Sequence, residues 1–142
     1  NDILINYEKN KMSPIFGLTL VDYQGMFQNM KFELLNCSDN IAANVKVLEL
    51  EIYKVDTLGS NSLVSINPIM KSDKIDIIEA HSKIKLEFQN KAIEKKRNEN
   101  FYFIVTIIAS DIIGLRKITT VTIHIDDSLK CKYNYTIVDY HE

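Results

Sequence analysis

Tryptophan is absent from this chain of 142 residues, and proline, cysteine and glycine are scarce, at two, two and four. So little glycine and proline excludes collagen-like and low-complexity disordered classes. The two cysteines, Cys37 and Cys131, lie far apart in sequence. The disulfide framework of a small secreted domain uses more of them at closer spacing. A bridge between the two stays open as an alternative, with two reduced, buried thiols as the preferred reading. An excess of one charge is also lacking. The net charge is −2, so no global field draws the chain to nucleic acid or to an anionic membrane. No run of about 18 apolar residues occurs, so no segment is expected to cross a bilayer as a helix. No signal peptide is expected either. The chain begins at Asn1 and not at Met, and a piece cut from a longer protein is the expectation.

What is present belongs to a soluble globular domain. Hydrophobic residues make up 46% and charged residues 25%, and the length suits one domain with one sizeable core. The expected layout is a lead segment over 1–13, ambiguous between strand and helix, and a single domain over 14–142. Abundant Ile, Asn and Lys fits an AT-rich genome.

The dominant hydrophobic period is two. Ile84, Leu86 and Phe88 alternate with Lys83, Lys85 and Glu87, and Val121, Ile123 and Ile125 alternate with Thr120, Thr122 and His124. Both are half-buried strands by pattern. Tyr133, Tyr135 and Ile137 make a third such series. "FYFIVTIIA" over 101–109 is apolar on both faces and predicts a central strand covered on each side. Phe103, Val105 and Ile107 are expected to face the main core, with Ile104 and Ile108 under a loop or second layer.

Further strands are expected at 15–22, 30–36, 43–54 and 62–66, and a weaker one at 75–79. In "VKVLELEIY" the apolar phase slips from Val45 and Val47 to Leu48, Leu50 and Ile52. One residue of slip exchanges the faces of a strand, so a β-bulge is predicted near Val47-Leu48. Turn signals fall at Tyr23-Gln24-Gly25, Ser38-Asp39-Asn40, Gly59-Ser60-Asn61 and Asn67-Pro68. Short strands with regular turns argue for an all-β sandwich or barrel.

Chemistry-bearing motifs are missing. His81, His124 and His141 pair with no ligand at metal spacing, and no CxxC, HExxH or GxSxG occurs. His81 at a turn and His124 beside threonines read as solvent-exposed. The carboxylates are dispersed, and no histidine lies near Cys37 to deprotonate it. The expectation is no catalysis, no metal and no cofactor. Lys95, Lys96 and Arg97, within "KAIEKKR", form the one basic run. Flanked by Glu94 and Glu99, they read as a solvated loop, and no aromatic is interleaved to stack a nucleic-acid base. Asn36-Cys37-Ser38 and Asn134-Tyr135-Thr136 match the glycosylation sequon.

Two stretches carry a resemblance. "NCSDNIAANV" over 36–45 has the spacing of an N-x-G-x-G-P-A-x-N-V run, and "ASDIIG" over 109–114 that of Y-x-D-x-x-G. Together they resemble the C-terminal β-sandwich of uncharacterised bacterial proteins with N-terminal transmembrane helices. Asn36, Ala42, Asn44, Val45, Asp111 and Gly114 agree with the pattern. Ser38 and Asn40 stand for its glycines, Ile41 for its proline and Ala109 for its tyrosine. The strand order fits over about residues 14–138. The resemblance implies an immunoglobulin-like fold and a membrane tether N-terminal to Asn1, and it implies no catalytic residue.

The resulting expectation is a two-layer antiparallel immunoglobulin-like β-sandwich of about seven to nine strands, with a small closed β-barrel as the alternative. Asn40 is expected to take the left-handed backbone region in place of glycine. Asp111 is expected to accept N–H bonds within its turn, and Gly114 to take a positive φ. In function, the expectation is a non-enzymatic binding or sensory head of a membrane-tethered bacterial protein, probed by a protein or small-molecule partner and not by nucleic acid. The head is expected in the cytoplasm, with the outer side of the membrane left open. Its partner is expected at loops of one end of the sandwich or at an exposed sheet edge, the candidate loops being 36–44, 89–100 and 110–117, with Asn40, Asn44, Lys95, Lys96, Arg97, Asp111 and Arg116 as interaction residues. The alternative is a β-barrel receptor for a cyclic nucleotide in an antiphage defence effector, binding its ligand inside the barrel.

Overall fold

The computed structural model describes residues 15–22, 28–55, 59, 61–66, 69–70, 75–91, 99–111, 113–126 and 130–140. The lead segment 1–13, the turns at 23–25 and 67–68, the basic triplet Lys95, Lys96 and Arg97, and His141 lie outside them. Among the described residues there are nine strands and no helix: β1(Phe16–Asp22), β2(Asn29–Asn36), β3(Ala43–Val55), β4(Asn61–Ile66), β5(Ile69–Met70), β6(Lys83–Gln89), β7(Asn100–Ser110), β8(Arg116–Ile125) and β9(Cys131–Asp139).

They form two sheets, ordered β1-β2-β6-β5 and β4-β3-β7-β8-β9, in which every pairing is antiparallel. Three full strands and the two-residue β5 make the smaller sheet. The order is that of an immunoglobulin-like sandwich, with A-B-E-D facing C′-C-F-G and a ninth strand added beyond G. The barrel alternative is corrected: these are two open sheets, and side chains fill the space between them.

One core joins the layers. Leu18, Phe32, Leu34 and Leu86 come from one sheet, and Leu50, Ile52, Phe101, Phe103, Ile107 and Ile123 from the other. Each of these is at most 1% exposed. Phe32 and Phe88 meet edge to face at 5.6 Å, the arrangement favoured by the ring quadrupole.

The predicted bulge is present. Val47 opposes Ile107 and Glu49 opposes Thr106, which leaves Leu48 as the extra residue. The bulge turns Leu48 out to solvent and puts Leu50 and Ile52 into the core. The weak strand at 75–79 is only an isolated bridge, Ala42 to Ile78. On β7 the expected inner residues Phe103, Val105 and Ile107 are buried. The cover expected on the outer side is incomplete. Ile108 is buried, whereas Tyr102, Ile104 and Thr106 stay half-open, because β7 lies mid-sheet in a two-layer fold and has a packing layer on one side only.

The two sheets also meet along one side. Leu18 donates its N–H to the Tyr135 hydroxyl at 3.1 Å, and that hydroxyl donates back to the Leu18 carbonyl at 3.1 Å. Leu20 donates its N–H to the Tyr133 hydroxyl at 3.0 Å. Tyrosines of β9 thus satisfy edge groups of β1 that would otherwise invite another strand.

Candidate functional site

One end of the sandwich is organised by a buried amide. Asn36 is fully buried. Its Nδ2 donates to the carbonyls of Asn40 at 2.8 Å, Ile78 at 3.0 Å and Glu79 at 3.3 Å. Its Oδ1 accepts from the Ser38 N–H at 3.0 Å and the Ser38 hydroxyl at 2.7 Å. The loop 36–44 is thereby tied down on 78–79, since buried polar groups stay only where they are bonded. This committed amide is no acceptor for a glycan, whereas Asn134 of the second sequon is exposed on β9. The Asn36 hub also changes one expectation: Asn40 does not take the left-handed conformation. Asn44 does, at φ 51°, as does His81 at φ 57°. Asn44 sits at an irregularity of register between Ala43 and Lys46, at the start of β3, while Asn40 is held through its carbonyl.

The turn at 111–115 is as expected. Asp111 Oδ1 accepts the N–H groups of Ile113 and Leu115, each at 3.0 Å. Gly114 has φ 84° and donates to the Asp111 carbonyl at 3.1 Å. Asp111 is buried and is a structural acceptor, not a reactive one.

Between these loops lies a hollow of about 250 Å³ lined by Asn44, Lys46, Leu48, Ile108, Ser110, Arg116 and Tyr140. The pairings Ala43 to Ser110 and Ser110 to Arg116 bring the two loops together. Two of the expected interaction residues, Asn44 and Arg116, therefore share one site. Asn40 and Asp111 serve the scaffold instead. The loop 89–100 joins the opposite end, where Asn100 pairs with Val55 and Asn90 donates to the Gln28 carbonyl at 2.9 Å. The three loops were expected to act as candidates together; the topology separates this one from the other two.

The outward face of the five-stranded sheet holds a second hollow, of about 320 Å³, lined by Tyr53, Val55, Asn61, Tyr102, Ile104 and Thr122. Strand register builds it. Tyr53, Tyr102, His124 and Lys132 lie in one rung, and Glu51, Ile104, Thr122 and Asn134 in the next. Glu49, Thr106, Thr120 and Thr136 form a third. Tyr102 stacks on His124 with centroids 4.5 Å apart and an interplanar angle of 9°. His124 is therefore half-buried beneath a ring partner, not freely solvated as its threonine neighbours suggested. Its Nε2 lies 3.3 Å from Asn100 Oδ1.

The electrostatics of this face are set by one acidic pair. Tyr53 donates its hydroxyl to Glu51 Oε2, and that bond holds the Tyr53 hydroxyl above its ordinary pKa and so keeps it a donor. The charge on Glu51 raises the Glu49 carboxyl. Elsewhere, burial raises the Cys131 thiol and the Tyr133 hydroxyl. Both cysteines are unbridged, Cys37 exposed and Cys131 half-buried. The thiols are free as preferred, but neither is the fully buried group expected.

Among the described residues no three His, Cys, Asp or Glu side chains gather to hold a metal, and no helix is long and apolar enough to cross a membrane. The chain matches no family model and no curated protein. Sequence reasoning missed the Tyr53–Tyr102–His124 rung. Each residue was visible on the outward phase of its strand, but their adjacency comes from register between residues 49 and 22 positions apart in sequence.

Proposed function

We propose that this domain is a non-enzymatic binding or sensory head of a membrane-tethered bacterial protein, and that it engages its partner through the outward face of the five-stranded sheet. One observation carries the reading. On β7 and β8 the outward residues Asn100, Tyr102, Ile104, Thr106, Ile108, Ser110, Ile118, Thr120, Thr122 and His124 include no Lys, Arg, Asp or Glu, and Arg116, the next outward position at the end of β8, carries the one full charge. A quarter of the chain is charged, so ten outward positions free of Lys, Asp and Glu on two central strands set this face apart. Solvated faces carry charge, whereas recognition faces lose it at their centre and gain aromatics. Both hollows open on this face.

The tether is what the resemblance over residues 14–138 implies, and the uncharged outward positions move the proposed contact from the loops to the sheet face. The test uses the whole gene product in its own cells. A photocrosslinking residue replaces Thr106 in one strain and Lys85, on the opposite outward face, in another. Discrete adducts from Thr106 alone, on protein that sediments with membranes, are the expected result. Identical adduct patterns from both positions, or full-length protein recovered wholly in the soluble fraction, would overturn the reading.

A further inference from the structure

We infer that the hollow over β3, β4, β7 and β8 binds a neutral saccharide, an assignment that rests on the binding-module reading above and names its ligand class. The lining is aromatic and aliphatic at Tyr53, Tyr102, Val55 and Ile104, with neutral hydrogen-bonding groups at Asn61 and Thr122. A sugar ring presents just this duality: a face of C–H groups that packs on aromatic and aliphatic carbon, and a rim of hydroxyls that donate and accept. The size suits it, since small-ligand pockets run from ~300 Å³ upward and are mostly apolar with a few placed polar groups.

Charge narrows the class. Among the described residues none that lines the hollow is charged, and the acidic pair Glu49 and Glu51 lies on the same face. Phosphate and carboxylate ligands are recognised through Arg or Lys, and here they would meet carboxylates instead. Of the cations on this face, Lys46 and Arg116 lie in the other hollow, and Lys132 stands on β9 beyond His124, outside the lining. Carboxylates do accept bonds from sugar hydroxyls, and Glu51 is already oriented by the Tyr53 hydroxyl. A planar nucleobase would also stack on Tyr102, but its phosphates would lack a counter-charge. The Tyr102 ring is braced from behind by His124, so it is presented at little cost in side-chain entropy.

The experiment titrates the purified chain with neutral trisaccharides of glucose, mannose, galactose and N-acetylglucosamine, and in parallel with uronic-acid oligomers and nucleoside monophosphates. Saturation-transfer NMR and tyrosine fluorescence read the binding, the latter undisturbed because tryptophan is absent. At least one neutral trisaccharide binds, the acidic ligands do not, Tyr102→Ala weakens binding about tenfold or more, and Tyr102→Phe retains most of it. Asn61→Ala, at an exposed position, weakens binding without touching the fold. Preference for the acidic or nucleotide ligands, no neutral binder in the panel, or binding unchanged in both Tyr102→Ala and Asn61→Ala overturns the assignment. If saccharide binding fails while Thr106 still gives its crosslinks, the ligand class falls and the binding face stands.

Discussion

The two outward faces of the sandwich grow from the same period-two alternation and carry opposite chemistry. On the smaller sheet Lys31 opposes Glu87, Glu33 opposes Lys85 and Leu35 opposes Lys83, with Lys83 Nζ 3.9 Å from Glu33. Cross-strand pairs of opposite charge like these add little to stability and keep a face wet and unsticky. On the larger sheet the β7 and β8 positions of the equivalent rungs are threonine, aromatic and aliphatic, and charge stands only at the flanks, at Glu49 and Glu51 on β3 and Lys132 on β9. Both faces close the same core, so packing does not require the difference. A sheet tolerates either surface, and what distinguishes the faces is what each can meet.

The comparison can be pressed first along a single strand, where the effect is largest. Ile107 is fully buried and Ile104 is half-open, three residues apart on β7. Ile107→Ala should cost about 2–4 kcal/mol through the cavity it leaves, and Ile104→Ala no more than about 1 kcal/mol, in urea unfolding. Equal costs would mean that a second layer covers the outer face.

The next effect lies where the two sheets meet. Tyr135→Phe removes the hydroxyl that both accepts from and donates to Leu18. About 1–2 kcal/mol of stability should be lost, along with faster amide exchange at Leu18 and an increased tendency to self-associate by the β1 edge. Unchanged exchange at Leu18 would show that the hydroxyl does not seal that edge.

Smaller still is the direct exchange of chemistry between faces. Thr120→Lys and Lys85→Thr should each change stability by less than about 0.5 kcal/mol. Only Thr120→Lys should abolish the crosslinks from Thr106. Loss of those crosslinks in Lys85→Thr instead would reverse the assignment of faces.

The smallest effect is in pH. Because Glu51 raises the Glu49 carboxyl in the folded protein, the folded state holds that proton more tightly than the unfolded chain does. The resulting stability is present below the ordinary carboxylate range and is lost as pH rises through the raised value. Glu49→Gln should therefore raise Tm slightly at neutral pH, with the gain vanishing in acid. A gain that persists in acid would place its origin elsewhere.

Much of this architecture was legible in the sequence because period two reports one-sided burial directly. The phase slip at Val47-Leu48 located the bulge, and Asp111 with Gly114 located the turn, since each is a local backbone requirement. Asn36 was legible as part of a spacing but not as a hub, because its partners at 78 and 79 are distant in sequence. The left-handed residue was assigned to Asn40 although Asn44 was equally able; the choice between them was made by the hydrogen bond that Asn36 makes to the Asn40 carbonyl. The candidate site was the least legible part. Alternation told which side of β3, β7 and β8 faces outward, but only register placed Tyr53 beside Tyr102 and Tyr102 beside His124.

Hydroxyl-radical footprinting tests the central assignment of faces most directly. The full-length protein in its native membranes is compared, residue by residue, with the isolated chain. Tyr53, Tyr102 and His124 should be oxidised several-fold more slowly in the membranes, while Val21 and Leu35, on the charged face, keep the same rate. Protection of Val21 and Leu35 with Tyr53, Tyr102 and His124 unchanged would contradict the account.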